Sequence, residues 1–181
     1  LGDAGTDLLS VNGRVNTNIL PSTDNSVNIG QGGGTPLRFN TVHAVLFSGT
    51  ATTARYADLA EKYTADKNYV PGTVVVFGGA NEVTACTTKG QKAVAGVIST
   101  NPAYLMNSEL DTPTAVDVAL LGRVPCRVIG VVKKGDILVT SAVAGYAIVN
   151  NNPEVGTVLG KAIGEKSTPD KGVVEIAVGR V

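Results

Sequence analysis

Hydrophobic and polar positions alternate most clearly near the start of the chain. Val11, Gly13, Val15, Thr17 and Ile19 take the odd positions, and Asn12, Arg14, Asn16 and Asn18 the even ones. A period of two over that length predicts a half-buried β-strand. Shorter apolar clusters follow at 27–29, at Leu37 with Phe39, and at 42–47, divided by the turn-rich Pro21-Ser22-Thr23-Asp24-Asn25-Ser26 and the glycine loop Gln31-Gly32-Gly33-Gly34. Such thin strands cannot close a core alone. Either they pack on the second half, or identical strands from other chains supply the missing apolar face.

The pattern changes near Arg55. The small-residue linker 48–54 runs into Ala57-Asp58-Leu59-Ala60-Glu61-Lys62-Tyr63, which reads as the one helical turn of the chain. Beyond it, apolar runs separated by turn signals predict strands at 73–77, 83–87, 93–99, 116–121, 125–132, 136–139, 147–149, 157–163 and 173–178. Val74-Val75-Val76-Phe77 reads as buried on both faces, and Val116-Asp117-Val118-Ala119 as buried on one. Lys133-Lys134-Gly135-Asp136 reads as a tight turn with glycine at positive φ. The expected fold is all-β: a short β-stem with its linker over 1–54, then a compact β-barrel or sandwich-like domain over 55–181 with one short helical turn.

Composition supports this picture and removes several functions. Twenty-two glycines, 17% charged residues and no tryptophan argue against a helix bundle or coiled coil. Lys+Arg and Asp+Glu both number 15, so no net field draws the chain to nucleic acid or an anionic membrane. There is no apolar run long enough to span a bilayer, so no membrane insertion is expected. The opening Leu1-Gly2-Asp3 is no signal peptide, and its abruptness suggests a fragment of a longer chain. Cys86 and Cys126 belong to no metal or disulfide motif and read as free buried thiols.

Candidate chemistry is sparse. The only histidine, His43, lies in an apolar run and reads as a strand residue, and no motif implies a metal or cofactor. The segment Gly30-Gln31-Gly32-Gly33-Gly34 lacks the Lys-Ser/Thr and following helix of a phosphate cradle. Asp58 and Glu61, three apart on the expected helical turn, would share a face, suiting acid–base work, a hard metal or simple capping. Only eight aromatics are present, Phe39, Phe47, Phe77, Tyr56, Tyr63, Tyr69, Tyr104 and Tyr146, which is poor material for the aromatic-lined groove of a glycan hydrolase.

The second half resembles a known group. Ala57-Asp58-Leu59-Ala60-Glu61-Lys62-Tyr63, Gly72-Thr73-Val74-Val75, Ala95-Gly96-Val97-Ile98-Ser99-Thr100-Asn101-Pro102, Ala119-Leu120-Leu121-Gly122-Arg123-Val124 and Lys134-Gly135-Asp136-Ile137-Leu138, in that order, are similar to the C-terminal domains of bacteriophage tail-fibre and appendage proteins. Within that group they resemble the peptidase G2 family of intramolecular chaperone domains, which can cut themselves from trimeric appendages. The first part, with Asn28-Ile29-Gly30, then 37–44, then Phe47-Ser48-Gly49, resembles a phage fibre-stem motif.

The resemblance implies a structural virion protein made in the host cytoplasm. It would be a homotrimer joined to other fibre or tail proteins, and would touch host surface polysaccharide or an outer-membrane component, for example through loops at 103–113 or 150–154. It also implies, as the alternative, a self-cleaving endopeptidase, and it carries over Asp58, Glu61, Ser99 and Asn101 as polar members of the matching motifs. A third reading is an unrelated β-domain that binds a small ligand. The expectation is that the chain is not a conventional hydrolase of a separate substrate.

Overall fold

The computed structural model describes residues 57–179 and, before them, only Asn12, 14–20, Ser22, Ile29 and Val42. The chain divides into two units, Leu1–Thr50 and Ala51–Val181. In the first, residues 14–20 form no strand, and Val15, Ile19 and Leu20 stand exposed. All of 14–20 is exposed, so the half-buried strand expected there is not formed. The other expected stem strands, the glycine loop, His43 and the linker lie outside the described residues.

The second unit holds ten strands: β1 (Asp58–Thr64), β2 (Val74–Phe77), β3 (Val83–Ala85), β4 (Val94–Ile98), β5 (Tyr104–Met106), β6 (Ala115–Ile129), β7 (Ile137–Thr140), β8 (Ala147–Val149), β9 (Val158–Ala162) and β10 (Lys171–Val178). The C-terminal half of β6 begins a closed five-stranded barrel, running β6–β10–β9–β7–β8 and returning to β6. Every step is antiparallel except the last, where Ala147 of β8 meets Val128 of β6 in parallel. A second circuit starts from the N-terminal half of the same strand, β6–β4–β2–β3 and β6–β1. It closes through the single bridge Ala65–Val83. Strand β5 lies parallel to the start of β1.

One strand can serve two cores because its alternation inverts. Val116 and Val118 belong to a small core with Ala65, Val75, Val83 and Ile98. Val124, Cys126 and Val128 belong to a larger one with Leu138, Leu159, Val174 and Ile176. All five of these β6 residues are even-numbered and on a regular strand would share one face. Leu59 pairs with Leu121 but Ala60 with Ala119, so Leu120 is left over as a β-bulge and the faces exchange. Just beyond, Gly122 has φ +113°, and a Cβ there would stand 2.2 Å from the Ala57 carbonyl oxygen. Only glycine allows this close approach of β6 to the start of β1. The sequence reading took Gly122 as a break between two strands, whereas the pairing is continuous through it.

Several expectations agree with the fold. Val74 and Val76 enter the larger core and Val75 the smaller, so β2 is buried on both faces as far as Val76, while Phe77, expected to be buried with them, is 48% exposed. Gly135 has φ +87° in its turn between exposed lysines, and Cys86 and Cys126 are free and buried. The expected helical turn is corrected: 57–63 lies largely in β1, and the described residues contain no helix. Ala, Leu, Glu and Lys favour helix locally, but β1 pairs with β6 from Asp58 to Thr64 and with β5 from Leu59 to Glu61, and that pairing outweighs propensity. The expected loop at 103–113 likewise contains β5.

Candidate functional site

Asp58 begins β1 and Ser99 directly follows β4, and the two meet because both strands flank the N-terminal half of β6. The Ser99 hydroxyl donates to Asp58 Oδ2 at 2.7 Å. Both residues are buried, at 5% and 7% exposure, which makes this a strong charge-assisted hydrogen bond. The surrounding backbone holds them in place. The Ser99 amide donates to the Asp117 carbonyl at 2.8 Å, and the Asp58 carbonyl accepts from the Ala103 amide at 2.8 Å.

This pair lies in the wall of a cleft of about 350 Å³, with Asn101, Arg123, Pro125 and Glu175 among the other lining residues. Arg123 Nε stands 3.9 Å from Glu175 Oε1, both half-exposed, so their attraction is largely screened. Of the four residues singled out from sequence, three, Asp58, Ser99 and Asn101, line this one cleft.

Glu61 is absent from the cleft lining, and its expected shared face with Asp58 is corrected. That expectation assumed a helix; on a strand, residues three apart point to opposite faces. Glu61 Oε2 instead accepts from the Tyr63 hydroxyl at 2.7 Å. Burial first, then the hydrogen bond to and charge of Glu61, with the Glu82 charge, push the Tyr63 phenol up to about 12.

Arg123, Pro125 and Glu175 were not found by sequence reasoning. They meet because the β6–β10 register sets Pro125 opposite Glu175 and Arg123 opposite Ala177. The one signal available was Glu175 itself, the single acidic residue in the apolar run 173–178.

Chemically, the cleft pairs a hydroxyl with a buried carboxylate, the first two elements of an activated nucleophile. The same bond also fastens β1 to the end of β4. Among the described residues, no three His, Cys, Asp or Glu side chains gather to hold a metal ion, and no helix is long and apolar enough to cross a membrane.

No family model matches the chain, and no curated protein matches it. The likeness to the peptidase G2 family therefore rests on sequence motifs alone. Solved structures do match. The C-terminal fragment of gene product 12 of bacteriophage phi29 is similar with a TM-score of 0.50 at 16% identity, covering 67% of this chain and 99% of that fragment. The pre-mature gene product 12 of the same phage is similar with a TM-score of 0.54 at 16% identity, covering 72% of this chain but only 22% of that one. At these identities the likeness is one of fold, and it agrees with the all-β barrel described above.

Proposed function

We propose that this chain is the C-terminal part of a bacteriophage fibre or appendage protein, a structural component of the virion that assembles as a homotrimer and joins other fibre or tail proteins. The observation that carries the reading is the likeness in fold of 67% of this chain to almost the whole of the C-terminal fragment of bacteriophage phi29 gene product 12. A surface feature supports association. Tyr104 of β5, Leu59 of β1 and Leu121 of β6 are paired in one row across three strands, and Tyr104 and Leu121 are 66% and 44% exposed. An apolar row on a sheet face suits burial against another copy. Contact with host surface polysaccharide or an outer-membrane component belongs to the same reading. Light scattering on the purified 181-residue chain tests it: a mass three times that of the chain is expected, and a monodisperse monomer at micromolar concentration overturns the trimer.

A second reading, an intramolecular chaperone that cuts itself free, is favoured by the Asp58–Ser99 hydrogen bond in the cleft that Ala57 also lines, close to the predicted junction with the stem. One of the similar phage structures is described as pre-mature and another is a C-terminal fragment of the same gene product, which fits a chain processed near this point. In that reading the Ser99 hydroxyl attacks a peptide carbonyl, Asp58 takes its proton and passes it to the departing amine as the C–N bond breaks, solvent water hydrolyses the resulting ester, and Asn101 stands at the cleft. Intact mass of an N-terminally extended chain tests it. Cleavage abolished by Ser99→Ala and by Asp58→Asn is the expected outcome, and an uncut parent chain overturns it.

A further inference from the structure

A second cleft, of about 270 Å³, opens on the other side of Arg127 from the pairings of β6, between 67–70, Thr73 and the Ala144-Gly145 turn. Its charged groups are both cations, Lys67 and Arg127. The Arg127 guanidinium is held from behind: Nη2 donates to the Tyr146 hydroxyl at 2.5 Å, Nη1 reaches Thr73 Oγ1 at 3.5 Å, and the group lies 4.3 Å from the Tyr146 ring centroid. The Thr73 hydroxyl spends its own proton on the Val70 carbonyl at 2.7 Å. Tyr146 is 8% exposed and accepts from Arg127, while its own hydroxyl hydrogen finds no acceptor among the described residues. Arginine carries five N–H groups, so most of this fork is unspent.

The cations at the cleft also form no ion pair: among the described residues, Arg127, Lys67 and Lys171 have none, the only two pairs being Lys92–Glu154 and Arg123–Glu175. Lys67 lies 5.5 Å from the Tyr69 ring centroid at the cleft, and Lys171 lies 5.1 Å from that of Tyr146. The Asp66 carboxylate, which feels the charge of Lys67, has both oxygens engaged, accepting from Tyr69 at 2.5 Å and from Thr84 at 3.0 Å. A partly buried, pre-positioned guanidinium without a carboxylate, beside a lysine and a tyrosine face, is built for a planar anion with an apolar ring face.

We propose that this cleft binds the carboxylate of an acidic sugar, a uronic acid unit of a polysaccharide, with Arg127 gripping the carboxylate, Lys67 adding charge and Tyr69 flanking the ring. The inference rests on the host-contact part of the proposed function and names its ligand class. A carboxylate is favoured over a phosphate because one planar fork matches its two oxygens.

Calorimetric titration of the full chain with sodium glucuronate, with glucose and inorganic phosphate as controls, tests the assignment. Saturable millimolar binding of glucuronate is expected, with no binding of glucose. Arg127→Lys, which keeps the charge but loses the fork, should weaken it about tenfold. Because Arg127 also braces Tyr146, Lys67→Gln provides a second variant that removes no buried contact, and a severalfold loss is expected there. Equal binding of glucose, absence of saturation, preference for phosphate, or indifference to both substitutions overturns the site. The fibre reading stands or falls separately on oligomer mass: a trimer that ignores glucuronate rejects the site alone, and a monomer that binds it rejects the trimer alone.

Discussion

The two circuits that meet at β6 each close through one residue pair but enclose cores of different size. The C-terminal barrel closes through Val128–Ala147, and its core gathers Val124, Cys126, Leu138, Leu159 and Ile176, then continues onto Val74, Val76 and Val97 of β2 and β4. The N-terminal circuit is closed by the bridge Ala65–Val83, with the Asp66 amide on the Val83 carbonyl at 3.2 Å and the Glu82 amide on that of Thr64 at 3.0 Å. Its core is smaller, and Tyr63, Tyr69, Ala95 and Leu120 around it are only partly buried. The larger, more fully buried core is the stiffer of the two, and the smaller one, partly exposed at its edge, can open locally. The flexible circuit carries the Asp58–Ser99 cleft, while the stiff one contributes Arg127 to the anion cleft.

The largest expected effect falls where the circuits part. Gly122→Ala places a Cβ against the Ala57 carbonyl oxygen and the Asp58 Cα at a backbone of positive φ, and should cost about 4 kcal/mol by strain and overpacking combined. Denaturant unfolding measures it, and a loss below about 1 kcal/mol would mean that β1 moves away without penalty.

A matched pair of substitutions then separates the cores. Ile176 is fully buried in the larger core and Ile98 is 4% exposed in the smaller. Ile176→Ala should cost about 4 kcal/mol and Ile98→Ala about 2, because the cavity at Ile98 can partly collapse. Equal losses would erase the distinction in rigidity. Hydrogen exchange sharpens the contrast without mutation. The amides of Asp66 and Glu82 should exchange by local opening, well before that of Ala162, which donates to Asp136 at 2.9 Å inside the barrel.

The smallest effect concerns acid. Asp136 titrates below the usual carboxylate range because Asn151 and the Lys133 amide donate to it, and Asp66 does so because Tyr69 and Thr84 donate. A folded pKa lowered in this way contributes stability above the unfolded value, and that stability is lost as pH falls through the folded value. Asp136→Asn and Asp66→Asn should each flatten the acid limb of a stability-against-pH curve. Only Asp66→Asn should also hasten exchange at Glu82, since Asp66 belongs to the single-bridge closure.

Sequence pattern made the barrel strands readable because their alternation is strict or their burial two-sided. The strand at 147–149 falls where the pattern put it, and β2 was legible as buried on both faces as far as Val76. What escaped depends on long-range pairing. β1 has helix-favouring residues and becomes a strand only against β6 and β5. The continuity of β6 through Gly122 and the inversion at Leu120 exist only in register with Leu59. Ser99 and Asn101 entered as candidates through motif resemblance, and the hydrogen bond to Asp58 adds a geometry that no spacing in the sequence encodes, since 41 residues separate the two. Arg127 escaped for the same reason, since Thr73 and Tyr146, which hold it, lie 54 and 19 residues away.

The two thiols give the larger core a built-in clock. Burial pushes both Cys86 and Cys126 above the ordinary thiol range, so neither presents the thiolate that alkylating reagents attack. Cys126 sits in the barrel on the long β6–β10 ladder and has no exposed surface, so local opening of the weaker circuit leaves it covered. A thiol reagent in excess should therefore mark Cys126 only when the whole barrel has come apart. The accumulation of doubly labelled molecules over hours or days would then read out how long the intact barrel lasts, a lifetime rather than an equilibrium, in the unmodified protein.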